Sequence, residues 1–160
     1  MTDWTDFADG LAQQLMLLPA GAFLVICAPH PPHDAREFVQ FAQTDDELYG
    51  QLAGDEWLDE SDRRTPDERR LLIETGWQQP HPDHVDNWWV ELPWPAPSTG
   101  YRKLASMAVV GLRDVFGITA PELLTYRAWN GRAGNRALDL PLLGLDSTNS
   151  GDDAEDSSRQ

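Results

Sequence analysis

From Asp3 to Leu18 the apolar residues Trp4, Phe7, Leu11, Leu15 and Leu18 fall at helical spacing, and Asp3 stands at the N-cap position. The spacing predicts one helix, stopped by Pro19-Ala20-Gly21. The continuous apolar run Ala22 to Ala28 predicts a strand buried on both faces, because no polar residue alternates within it. Glu37 to Gln43 predicts a second strand paired with the first. Thr44-Asp45-Asp46 then turns the chain into a weaker third strand, Leu48 to Leu52, where Gly50 lowers strand preference. Thr65-Pro66-Asp67-Glu68 has the form of a capping box with proline at the first helical position, so a second helix should run through Leu71, Leu72 and Ile73 to a stop at Gly76. Asn87 to Leu92 predicts a strand ended by Pro93. Tyr101, Leu104, Ala108, Leu112 and Val115 mark one face of a third helix, about Thr99 to Phe116, closed by Gly117. Leu123 to Trp129 predicts the last strand, after which regular patterning fades.

The order α-β-β-β-α-β-α-β fits an antiparallel or mixed sheet of about five strands packed on helices better than repeated βαβ units, so the class is α+β. Residues 1–145 are expected to form one domain. Residues 146–160 hold no aromatic or branched apolar residue and are expected to be an acidic, disordered tail.

Charge narrows the function classes. Lys and Arg total 12 against 27 Asp and Glu, a formal charge of −15, so nucleic acid and anionic membrane surfaces should be repelled. A basic polypeptide partner would be attracted, although the same charge also serves plain solubility. The single cysteine, Cys27, excludes an intrachain disulfide and suits a reducing compartment. The apolar stretch Leu15 to Ala28 is broken by Pro19 and Gly21, and the first residues lack the positive charge of a signal peptide. These features predict a cytoplasmic protein without a membrane span.

No phosphate-binding glycine loop, G-x-S-x-G elbow, H-E-x-x-H or C-x-x-C is present. The four histidines form two H-x-x-H pairs, His30/His33 and His81/His84, beside Asp34 and Asp83. Imidazole and carboxylate suit zinc or another divalent metal, and a small metal-dependent or acid/base enzyme is the alternative reading these loops allow, with a structural or regulatory interaction protein as the other. Both pairs sit in proline-rich loops rather than on a rigid helix face, so solvated loop histidines are the plainer reading, and no metal, cofactor or catalytic residue is expected. Cys27 lies in an apolar strand and reads as a small core residue, not a nucleophile. Gly131 to Arg136 is a basic, flexible patch that reads as an ordinary loop.

The aromatic residues say more. The seven tryptophans exceed what this length usually carries, so where the rings sit bears on function. Alternation puts Trp88, Val90 and Leu92 on one face of their strand and Trp89 on the other, while Val39 and Phe41 oppose Phe38. The third helix carries Met107, Val109 and Val110 off its main stripe, which makes it apolar almost all round. Two coverings are open: helices of the same chain on both sheet faces, or a second copy or bound peptide on one. The second covering makes Phe38, Trp89, Met107, Val110 and Trp129 the candidate partner-binding residues.

The succession Trp4 to Leu18, Phe23-Leu24-Val25-Ile26, Phe38-Val39-Gln40-Phe41, Gly76-Trp77, and Leu112 to Gly117 with Pro121 and Leu124 resembles the YbjN-like and type III secretion chaperone-like (TY-Chap) domains. The likeness runs from about Trp4 to Trp129. It implies a strongly bent antiparallel sheet packed on helices, frequent homodimerisation and a non-catalytic role in binding polypeptide segments. It brings no catalytic residues, and the Pro/His loops and acidic tail have no counterpart in the family's pattern.

Overall fold

A computed structural model of the chain describes residues 3–29, 37–54, 65–80 and 87–148. Helix α1 (Trp4–Leu17) begins where Asp3 accepts a hydrogen bond from the Asp6 amide at 2.7 Å. Strands β1 (Ala22–Cys27), β2 (Phe38–Gln43) and β3 (Glu47–Leu52) follow. The buried Gln43 side chain donates to the Thr44 and Glu47 carbonyls at 2.8 and 3.0 Å, which fixes the β2–β3 turn. Helix α2 (Pro66–Thr75) carries the full capping box: the Glu68 amide donates to Thr65 and the Thr65 amide to Glu68. Strand β4 (Trp88–Pro93) leads to helix α3 (Ser98–Val109), which continues as a π-helical turn, Val110–Val115. A short 3₁₀ turn, Pro121–Leu123, precedes β5 (Thr125–Asn130).

The strands form one sheet in the order β4-β3-β2-β1-β5, extended at its far edge by two two-residue strands, β6 (Arg136–Ala137) and β7 (Asp146–Ser147). Neighbours are antiparallel except for β7 on β5. One face is the core. There Leu24, Ile26, Val39, Phe41, Leu48, Leu52, Trp88, Tyr126 and Ala128 meet Phe7, Leu11 and Leu15 of α1 and Leu104, Ala108 and Leu112 of the α3 segment, all buried. Gly111 lets the helix settle on the sheet, since a Cβ there would stand 2.6 Å from a Leu52 methyl. The π turn shifts the amide donors by one residue, and at that junction the Trp77 indole donates to the Met107 carbonyl at 3.0 Å, docking α2 beside α3.

Four expectations change. The β1 strand is buried on one face only, with Phe23, Val25 and Cys27 half-exposed, because α1 and α3 pack on the other side and only the one-turn 3₁₀ segment Gly131–Ala133 among the described helices touches this one, at Phe23. The third helix is not α-helical throughout. The last strand starts two residues late, because Pro121 lacks an amide and opens a 3₁₀ turn instead. The chain after Trp129 is not patternless: Leu140 and Leu143 are buried against α1, and Asp146–Ser147, expected to begin the disordered tail, pairs with Thr125–Tyr126. The rest of the tail, residues 149–160, lies outside the described residues, as do all four histidines.

Candidate functional site

The period-2 rule that buries one face of the sheet sends the intervening residues to the other. Phe23 and Val25 of β1, Tyr49 of β3, Trp89 of β4 and Trp129 of β5 stand there, each half-buried. Phe23, Val25, Trp89 and Trp129 do not pack on the core, whereas Phe38, at the start of β2, touches it. Cross-strand register organises the rings in two pairs. Phe23 stacks on Trp129 with centroids 5.3 Å apart, and the Arg127 guanidinium lies 5.2 Å from the Trp129 ring. Tyr49 stacks on Trp89 at 6.5 Å, and the Trp89 indole donates to the Gln79 carbonyl at 3.2 Å. Between the pairs β2 presents Gln40 and the small Ala42, which is opposite Phe23 on one side and Tyr49 on the other.

The edges of the sheet are largely closed. Along β5, Trp129 and Asn130 pair with β6, the Leu138 amide donates to Ala128, and Thr125 and Tyr126 pair with β7. Along β4, Trp89 and Gln78 exchange backbone hydrogen bonds at 2.9 and 3.2 Å, and Pro93 has no amide to offer. Among the described residues only the short stretch around Glu91 is left, so a polypeptide would gain little by adding as a strand.

At the β3–β4 corner of this face Glu47 is diagonal to Glu91, which is opposite Tyr49. Partial burial, the charge of Glu91 and Asp46, and a hydrogen bond shared with Glu91 hold the Glu47 carboxyl above its ordinary value. The folded state therefore keeps this proton to higher pH than the unfolded chain, and the associated stability is lost as pH rises through the range just above the ordinary 4.5. Glu47→Gln is expected to raise the thermal midpoint slightly at pH 7 and to leave it unchanged near pH 3, the effect being small because the group is well solvated. Scanning fluorimetry at the two pH values checks this; a lower midpoint at pH 7 would mean that the carboxylate is held by a cation.

The residues singled out by sequence divide between locations. Phe38, Trp89 and Trp129 share the open face. Met107 is buried, packed where Gly76 and Trp77 meet α3, and so is removed from any surface. Val110 lines a shallow groove with Trp4, Ala8 and Arg113 between α1 and α3, away from the sheet. Cys27 is half-exposed on the open face rather than in the core, and burial, only partly offset by a hydrogen bond with Thr125, pushes its thiol up, the opposite of what a nucleophile needs. In the Gly131 to Arg136 patch, Arg132 pairs with Asp45 at 2.6 Å. No group of three or more metal-ligating side chains occurs among the described residues. Phe23, Tyr49, Arg127, Glu47 and Glu91 were missed by sequence reasoning, although alternation around Leu48 and Gly50 would have put Glu47 and Tyr49 together.

A sheet with α1 and α3 on one side and aromatic pairs on the other places the chain among open-faced α+β domains. Over residues 1–130 the chain matches the model of the TY-Chap3 family, described as T3SS (YopN, CesT) and YbjN peptide-binding chaperone 3, and it belongs to that family. No curated protein and no solved structure matches the chain. No described helix is long and apolar enough to cross a membrane.

Proposed function

We propose that this protein is a non-catalytic, cytoplasmic chaperone that holds a partner polypeptide against the open face of its sheet, with Trp89, Trp129, Phe23 and Phe38 as the principal contacts. The observation that carries the reading is that this face presents Phe23, Trp89 and Trp129, rings that stand outside the core and that α1 and α3 leave uncovered, although the one-turn 3₁₀ segment Gly131–Ala133 touches Phe23. Membership of a peptide-binding chaperone family supports it, and the nearly closed edges favour side-chain docking over strand addition. Rigid aromatic side chains suit such docking because they bury large area at low entropic cost. The single cysteine supports a reducing compartment.

A pulldown from native lysate, read by mass spectrometry, tests the proposal with three baits. Wild type and Val110→Ala, altered only on the helix side, are expected to retain the same defined partner. The Trp89→Ala/Trp129→Ala variant is expected to lose it while keeping a native circular dichroism spectrum. Equal retention by all three would move the client off this face.

A further inference from the structure

The open face is asymmetric in charge, and that asymmetry specifies the polypeptide it fits. Two inter-strand steps, about 10 Å, separate β1 from β3, so the strip over Gln40 and Ala42, flanked by the Phe23 and Tyr49 rings, suits one extended chain and is too narrow for a helix, about 10–12 Å across with its side chains. Phe38 lies at one end of that strip. At the other, Glu47 and Glu91 converge beside the Tyr49–Trp89 stack. Among the described residues neither carboxylate is paired with a lysine or arginine: Arg132 is taken by Asp45, and Arg127 lies over Trp129 on the far side.

We infer that the client segment is amphipathic, with apolar or aromatic side chains seated over Ala42 and against Phe23, Phe38 and Trp129, and a lysine or arginine at one end lodged between Glu47 and Glu91 against the Tyr49–Trp89 stack. A cation there would meet two carboxylates and an aromatic edge at once, and it would relieve a like-charge contact that the free protein has to bear. The chain's own C-terminal residues are poor occupants. Asp152, Asp153, Glu155 and Asp156 repeat the charge of the corner, and no large apolar residue accompanies them. The inference rests on the proposed chaperone function and adds the chemistry of the client.

Two synthetic peptides with a dye at the C-terminus test it by fluorescence anisotropy: Lys-Lys-Ala-Leu-Phe-Ala-Leu-Phe and the same sequence beginning Glu-Glu. At low salt the lysine peptide is expected to bind wild type at least about 10-fold more tightly, with the preference shrinking toward physiological ionic strength. Glu47→Gln/Glu91→Gln, which only relieves repulsion, should cut that preference by about 5-fold or more. Glu74→Gln/Glu122→Gln, which removes as much charge from exposed positions elsewhere, should leave it intact. An equal loss in both variants would reduce the preference to the protein's overall charge and overturn the inference. So would equal binding of the two peptides that still requires Trp129, an outcome that leaves the chaperone reading standing. If neither peptide binds, or if the free protein sediments as a dimer that Trp129→Ala dissociates, the face belongs to another occupant and both readings fail.

Discussion

Trp88→Ala is expected to lower the unfolding free energy by about 3–5 kcal/mol, the range for a large aromatic deleted from a packed interior. Trp88 is buried, is opposite Leu52 in the β3–β4 register, and belongs to the core cluster beneath the helices. Its neighbour Trp89 is on the other face, where truncation loses a stack on Tyr49 and one hydrogen bond to Gln79, together about 1–2 kcal/mol. Urea denaturation of the two variants, with unchanged slopes, separates the contributions. Similar large losses for both would mean that the outer face is a second core.

Truncation after Asn130, where the family match ends, is expected to remove about 4–6 kcal/mol and bring the chain close to unfolding at room temperature. The deleted segment carries Leu140 and Leu143, whose burial is worth about 1.5–3 kcal/mol each. It also carries the Leu140 amide that donates to the Tyr126 hydroxyl at 2.9 Å, and the Leu142 amide that donates to the buried Gln14 carboxamide at 2.8 Å. Gly10 allows the close approach of this segment to α1, since a Cβ there would run into the Leu142 carbonyl. Truncation after Thr148, by contrast, should change stability by less than about 1 kcal/mol. Denaturation midpoints of the two truncated chains decide the matter. Equal stability would show that residues 131–148 rest on the domain without supporting it.

Elements that repeat a period were legible in sequence. The alternation in Trp88 to Leu92 and in Phe38 to Phe41 fixed which side chains share a face, and Thr65 with Glu68 marked the start of α2, because each signal arises from backbone geometry alone. What failed depended on tertiary choices. Met107 and Val110 are three residues apart on a helix apolar nearly all round, and only the docking of Trp77 decides that the first is covered. The run Phe23 to Cys27 is equally compatible with one covered face or two, and the placement of α1 and α3 together on one side settles it. Beyond residue 130 the turns and two-residue strands are too short for any period to show, although they bury two leucines and close the β5 edge. The candidate site was half legible for the same reason: its rings follow the alternation, but the Glu47–Glu91 corner comes from pairing β3 with a strand some forty residues later.

A polypeptide lying on this face as proposed would cover a reporter that the protein itself carries. Cys27 is the chain's single cysteine; it is half-exposed and is opposite Phe38 on one side and Thr125 on the other. Its alkylation by iodoacetamide can be followed by intact mass at about pH 8.5 or above, because burial holds the thiol above its ordinary value and so lowers the reactive thiolate fraction. With the lysine-bearing peptide present at saturation, the account predicts alkylation at least about 10-fold slower than in the free protein, with the difference lost in Trp89→Ala/Trp129→Ala. An unchanged rate at saturating peptide would contradict it.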